Sequence, residues 1–311
     1  MRRYIKHIKK DFIHDVLVYV FSIIFIVLLS TTVKVIPDNI SLINKNKADD
    51  TPKMEIPSYD LTFFDNLSID AKAYVVYDIL NDKVIYGYNE NEKLPLASLT
   101  KLMMALTSVS LGSPDTVINI EKRYLDGGYD LGLKKNQLWR LDELLKYTLV
   151  FSSNDGALSI ANEMGGESNF INLMNQKAVE LNLDLTFSNP AGLDDGNDLG
   201  GLGSAYQVAK LIGIANKTIP NILDSTTHKN VNLIASSGQV NGIPNINQNV
   251  NDIVGLISSK TGFTNLAGGN LAITFDISLG HPIAIVVLNS TREGRFSDTY
   301  KLYQATREAL K

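Results

Sequence analysis

The 311-residue chain contains no cysteine. Thiol catalysis, disulfide cross-links and cysteine-ligated metal centres are therefore excluded. Histidine is scarce. His7, His14, His228 and His281 are scattered without the spacing of a ligand set, so no metal and no other cofactor is expected. The single tryptophan, Trp139, lies in an apolar setting and reads as core. Internal repeats are absent. Neither sign of charge dominates, with 29 Lys and Arg against 33 Asp and Glu, net −4. The balance shifts once the N-terminus is set apart. Arg2, Arg3, Lys6, Lys9 and Lys10 against Asp11 and Asp15 make residues 1–15 net +3, which leaves −7 on the rest. An acidic body argues against nucleic acid as a partner.

Long apolar runs are also rare. The exception is residues 16–33, from Val16 to Val33, 18 positions without a charged side chain. At about 1.5 Å per residue this stretch just spans a hydrocarbon core of roughly 30 Å. The basic flank 1–15 keeps the N-terminus in the cytoplasm. The expectation is a single-pass anchor in the cytoplasmic membrane with everything after it outside. A secreted body after signal cleavage is the alternative, but no small-x-small site follows Leu29. Residues 34–66 are rich in Asn, Lys, Asp and Pro and carry no apolar period, as expected of a flexible spacer. The folded body is expected over 67–311.

Within that body, Ala71 to Asp78 and Val84 to Tyr88 are strand-like, with Asn81-Asp82 as the turn of a hairpin. The apolar run from Ser98 to Leu111 predicts a buried helix between Pro95 and Gly112. Asp142 is expected to cap a helix reaching Val150. Further helices are predicted from Ala157 to Met164, Phe170 to Leu181 and Ser204 to Ile214. Phe187 to Asp194 and the glycines 200, 201 and 203 read as loops. His228 to Asn251 is polar, and the expectation is loops with one short strand at most. Ile253 to Phe263, Asn270 to Ile277 and Pro282 to Asn289 are strands, and a last helix, capped by Ser297, runs to Leu310. Two strands from the start and three from the end predict an α+β fold, with one antiparallel sheet assembled from both chain ends and helices between. The tyrosines at 74, 77, 86 and 88 read as strand packing.

Three short patterns carry chemistry. Ser98-x-x-Lys101 opens a predicted helix, which places a hydroxyl and an amine one turn apart on one face. A serine needs a base to become a nucleophile, and a desolvated lysine can be that base. Ser152-Ser153-Asn154 lies between helices, 54 residues after Ser98, and Lys260-Thr261-Gly262 lies on a strand, 108 residues after Ser152. Each pattern is cheap alone, but their order and contexts are not.

With this trio, and with Pro95 to Leu106, Leu141 to Ala161, Phe187 to Leu193 and Ser258 to Ala272 around it, the chain resembles the serine-type D-alanyl-D-alanine carboxypeptidases, the low-molecular-mass penicillin-binding proteins. The resemblance covers roughly Ala71 to Leu310. It implies the β-lactamase/D,D-peptidase-like fold, a five-stranded antiparallel sheet with a helical cluster, and makes 67–311 a catalytic domain. It implies peptidoglycan stem peptides as substrate and β-lactams as inhibitors. Ser98 would attack the D-Ala-D-Ala carbonyl, giving an acyl-enzyme and free D-alanine, with Lys101 as base. Burial and a second cation, Lys260, would favour the neutral amine. Ser152 would relay a proton to the leaving amine. Asn154 would hold the substrate amide or orient Lys101. The backbone N–H groups of Ser98 and Phe263 would form the oxyanion hole. Gly262 would let substrate approach the strand edge, and Thr261 and Thr264 would offer hydroxyls to the terminal carboxylate.

One departure from the family stands out. Some members place an arginine ahead of the third motif, and Asn245 to Asn249 has none. Arg292 or Arg295, just after the last strand, could take its place; Arg292 is assigned to the carboxylate, while Arg295 reads rather as a surface arginine. Related activities stay open. A D,D-endopeptidase cutting cross-links would use the same groups. A β-lactamase of class A would need a water-positioning Glu-x-x-Leu-Asn, and Glu167 is followed by Ser-Asn-Phe-Ile-Asn instead. A wall-binding protein with a relic site is a further alternative, against which the three intact motifs stand.

Overall fold

The computed structural model describes residues 59–121, 133–196 and 198–310. The flank 1–15, the apolar run 16–33 and the spacer up to residue 58 lie outside the described residues. Among the described residues, no helix is long and apolar enough to cross a membrane.

Five strands form the central sheet: β1 (Ala73–Asp78), β2 (Lys83–Tyr88), β3 (Leu256–Thr264), β4 (Gly268–Ser278) and β5 (His281–Ser290). Their order is β3-β4-β5-β1-β2, and every pair is antiparallel. The seam between the chain's two ends is β1 against β5, with Ala73 opposite Leu288. Both faces are covered, so β1 is buried at all six positions and lacks the polar alternation of a one-sided strand. Side chains nevertheless alternate between two cores, as the pleat requires. Ile283, Ile285 and Val287 face one cluster with Leu302 and Tyr303. Ala284, Val286 and Leu288 face the other, with the helices.

That helical cluster comprises α1 (Thr100–Leu111), α2 (Leu141–Val150), α3 (Asn154–Glu163), α4 (Glu167–Glu180), α5 (Ala205–Thr218) and the short α6 (Pro220–Leu223). The last helix, α7 (Gly294–Ala309), covers the opposite sheet face. The first nine residues of α1 are buried, because it runs through the middle of the cluster. Trp139 is core, as expected, tilted against Tyr147. Tyr74 stacks between Tyr86 and Tyr88.

Several local expectations change. Packing begins before Leu67. A 3-10 turn, Leu61–Phe64, buries Phe64 against Tyr86 at 4.4 Å between ring centroids. The Tyr59 hydroxyl donates to buried Asp78 and the Asp60 N–H to Ala309 O. Asp142 sits inside the first turn of α2, where it accepts from Arg140, and Arg140 occupies the cap position. Ser297 lies within α7, which starts at Gly294, and its hydroxyl donates to Gly294 O. Gly201–Gly203 is a short strand between Leu94–Pro95 and Thr186–Phe187. His228 to Asn251 contains two strands, Asn230–Ala235 and Gly238–Pro244, paired as a hairpin. Most of that hairpin faces solvent, so polar residues stand where an apolar alternation would have signalled a strand.

Asp298 on α7 locks the two chain ends together. Fully buried, it accepts from Asp70 N and Ala71 N at 3.2 and 3.1 Å and from Ser290 Oγ at 2.7 Å. Asp298→Ala strands these donors and is expected to cost about 3 kcal/mol. Urea unfolding followed by fluorescence of Trp139 measures it, and a loss below about 0.5 kcal/mol, the level of an ordinary surface substitution, contradicts the assignment.

Candidate active site

The site is built where the start of α1, the α2–α3 corner and the β3 edge converge. Ser98 lies in a 3-10 turn, Ala97–Leu99, that runs directly into α1. Ala97 before it has φ +48°, the left-handed region that side chains other than glycine avoid. Gly192 packs against this turn. It has φ +75°, and a Cβ there would lie 1.9 Å from Ala97 O. Ser152 at the α2–α3 corner also has positive φ, +63°. Its neighbour Ser153 is turned away and caps α3, accepting from Gly156 N at 2.8 Å. The kink presents Ser152 to the cleft, while Asn154 takes the first position of α3. The sequence placed all three residues in a loop; the structure divides them between corner, cap and helix.

Lys101, fully buried, donates from Nζ to Ser98 Oγ at 2.9 Å, Asn154 Oδ1 at 2.8 Å and Ala191 O at 2.7 Å. The two carbonyl oxygens can only accept. They engage two N–H groups of Lys101 and leave its third position facing Ser98. A neutral amine would turn a lone pair toward the Ser98 hydroxyl there. Asn154 thus orients Lys101, one of the two roles the sequence left open.

Lys260 on β3 is 1% exposed. It donates to Ser152 Oγ at 2.8 Å and to Thr261 O at 2.7 Å. Burial holds its ammonium well below the ordinary lysine range, with the charge of Lys101 the next cause and that of Arg295 the third. Two lysines in one dry site titrate as a pair and hold one proton more readily than two.

Gly262 is the point of closest approach between β3 and the nucleophile's turn. A Cβ there would lie 3.0 Å from Leu96 O and 3.2 Å from Ser98 N. Ser98 and Phe263, the residue after Gly262, both line the cleft at this point. Thr261 and Thr264 line the same cleft, and Thr264 Oγ1 accepts from Ala267 N at 3.0 Å.

The cleft has a volume of about 390 Å³. Phe151, Leu193 and Ile246 supply apolar wall, and Asp155 is the carboxylate among the described lining residues. Arg292 also reaches it, with its guanidinium 4.5 Å from the centre of the Phe263 ring. Arg295 departs from the surface position expected of it. It is 5% exposed, lines the cleft and donates from Nη1 to Gly262 O at 2.6 Å. Burial pushes its pKa down to about 10, with Arg292 adding to the shift and Glu293 opposing it. The available signal was its spacing. Three residues after Arg292, at the opening of α7, it lies one helical turn on, beside the same strand edge.

A hydroxyl beside one buried lysine and a second hydroxyl beside another, in one cleft, form the equipment of a serine acyl-transfer enzyme. Comparison with known proteins agrees. Residues 61–292 match the family model described as D-alanyl-D-alanine carboxypeptidase, peptidase S11. The chain is 34% identical over 151 residues to a D-alanyl-D-alanine carboxypeptidase of Bacillus subtilis, a match covering 46% of this chain and 38% of the relative's length. It is 31% identical over 243 residues to the D-alanyl-D-alanine endopeptidase of Escherichia coli, covering 75% of this chain and 76% of that protein. Its fold matches penicillin-binding protein D2 of Listeria monocytogenes, solved with cefotaxime bound, with a TM-score of 0.68 and 27% identity over 78% of this chain and 98% of the other. The chain belongs to the D-alanyl-D-alanine carboxypeptidase family of serine peptidases.

The depressed lysine carries a prediction. Replacing Lys101 by Met removes one of the two leading causes of the Lys260 shift, so Lys260 should titrate closer to the ordinary value. With lysine ε-carbons labelled, NMR titration of the wild type and the Lys101→Met variant measures the move. An unchanged Lys260 titration would mean that burial and Arg295 set it without Lys101.

Proposed function

We propose that this chain is a serine D,D-carboxypeptidase that removes the terminal D-alanine from peptidoglycan stem peptides through an acyl-enzyme on Ser98. The observation that carries the reading is the Lys101 Nζ to Ser98 Oγ contact of 2.9 Å, with the other two Lys101 contacts fixed on carbonyl oxygens. Ser98 Oγ attacks the penultimate D-alanine carbonyl as its proton passes to Lys101. The negative charge that develops on the carbonyl oxygen lies between the Ser98 and Phe263 amides. Such donors act where charge appears and are worth several kcal/mol in the transition state. The leaving nitrogen takes its proton from Ser152. That hydroxyl already accepts from Lys260, so its own O–H is free to point at substrate, and Lys260 replaces the proton it gives up. One proton enters the lysine pair at Lys101 and one leaves at Lys260, so the pair's charge is unchanged across acylation. Water then releases the shortened peptide. Arg292, Arg295, Thr261 and Thr264 face the substrate's carboxylate, and Gly262 keeps the strand edge open to the peptide.

β-Lactams, which resemble the substrate amide, are expected to acylate Ser98 and stay bound. The Glu-x-x-Leu-Asn by which class A β-lactamases position water has no counterpart between Asn154 and Lys260, which argues against rapid turnover. Cross-link cleavage is the second reading, supported by the likeness to the E. coli endopeptidase over three quarters of both chains. Residues 16–33 are proposed to anchor the body outside the cytoplasmic membrane, on the strength of their length and basic flank.

The test uses the full chain with a purified stem pentapeptide and a cross-linked dimer. Release of D-alanine from the pentapeptide is expected, with Ser98→Ala lowering the rate by about 10³-fold or more. Preferential splitting of the dimer selects the endopeptidase reading, and D-alanine release at the wild-type rate by Ser98→Ala overturns both. Intact mass after penicillin should show one lasting adduct on the peptide holding Ser98. That mass also reports whether residues 16–33 are retained.

A further inference from the structure

We propose that Asn270 is a positioning residue: it ties the turn ahead of Ser98 to the sheet and so sets the spacing of the two amides that receive the oxyanion. The inference rests on the reading of Ser98 as the acylated nucleophile. Asn270 lies on β4, directly across from Gly262 of β3. It is fully buried and uses both ends of its amide. Nδ2 donates to Pro95 O at 2.9 Å, and Oδ1 accepts from Asn289 N at 2.8 Å.

An irregularity in the sheet makes this reach possible. Between the pairs Gly269–Ser290 and Leu271–Val287 the β4–β5 register slips, so β5 carries an extra residue. Asn289, in that bulge, has φ +55°. Its N–H is taken by the Asn270 side chain, and its own Nδ2 donates to Ala267 O at 2.9 Å, bracing the β3–β4 turn. The other end of the Asn270 amide is thereby aimed out of the sheet at Pro95.

Pro95 O begins the segment whose geometry matters most. Leu96, Ala97 and Ser98 follow it, and Ala97 is held in the left-handed region. A non-glycine residue stays there only where its surroundings impose it. Three constraints do so: the Asn270 bond to Pro95 O, the Leu96 N–H bond to Gly201 O at 2.9 Å, and the backbone of Gly192 against Ala97 O. Without the first, Ala97 can relax toward a commoner conformation, which rotates the Ser98 N–H away from β3. The tolerance is small, because Leu96 O and Ser98 N already lie 3.0 and 3.2 Å from the Cβ position of Gly262. At neutral pH an amide meets the demand at position 270 and an ionised carboxyl does not. A carboxylate keeps the acceptor for Asn289 N but cannot donate to Pro95 O, and an aliphatic side chain does neither.

The alternative is that Asn270 merely satisfies two buried backbone groups, and the test separates the two roles. Stopped-flow acylation of the full chain by a chromogenic β-lactam resolves non-covalent affinity from the acylation rate constant. Asn270→Ala and Asn270→Asp should lower the rate constant roughly 10- to 100-fold, part of what an oxyanion donor is worth, with affinity changed less than about threefold. The ratio of Asn270→Asp to wild type should also climb toward acid pH, where the introduced carboxyl is protonated and can donate to Pro95 O. Where Asn270→Ala yields no folded protein, this pH ratio decides. Acylation within about twofold of wild type alongside a lower melting temperature, or a ratio flat with pH, overturns the proposal. A wild type that is not acylated at Ser98 fails the functional reading itself, a distinguishable result.

Discussion

Two lysine side chains buried in one dry cleft cannot both carry charge without penalty. Lys101 and Lys260 are each almost wholly enclosed, and the structure answers their demands with oxygens: Asn154 Oδ1, Ala191 O and Ser98 Oγ for one, Ser152 Oγ and Thr261 O for the other. A free amine in such a place at neutral pH is costly to build and is what a serine nucleophile needs. Other costs cluster around it. Ala97 and Ser152 both hold positive φ beside the reacting hydroxyls. Strain of this kind persists where the surrounding fold over-determines it, and Asn270, Gly201 and Gly192 all hold the segment around Ala97.

The architecture explains how those elements meet. A sheet assembled from both chain ends puts the third motif on an edge strand, β3, whose outer side meets the turn that carries Ser98. The middle of the chain, folded as helices, supplies the first two motifs from the opposite wall. The cleft is thus a seam between segments far apart in sequence, and its dimensions depend on contacts across that seam. Gly262 against the Ser98 turn, Arg295 beneath Gly262 O and Asn270 to Pro95 O are those contacts. Each reaches from the sheet to the nucleophile's side or braces the strand that does.

The five central strands and the main helices were legible because their patterns are local. Val and Tyr runs broken by Asn-Asp or Gly turns mark strands, and the uninterrupted apolar stretch after Ser98 marks a buried helix. The five polar site residues were legible through their spacing and the resemblance it carries. What escaped depends on tertiary context. The Asn230–Pro244 hairpin is exposed, so its sequence lacks the alternation that burial imposes. Arg295 looks like any arginine after a strand until the sheet edge closes over it, and Asn270 looks like the ordinary first residue of a strand until a bulge in β5 gives its side chain work. Phe64 and Tyr59 sit in composition typical of a spacer, yet one ring and one hydroxyl suffice to fasten that arm to the sheet.

The central claim is that the buried lysine pair supplies a free amine to Ser98 at neutral pH. The pH dependence of the acylation rate constant of the full chain tests it most directly. The rate should rise along a single limb whose apparent pKa, a property of the pair, falls below the ordinary lysine value of about 10.4. A limb that follows an ordinary lysine, or a rate indifferent to pH across the whole range, would contradict the account.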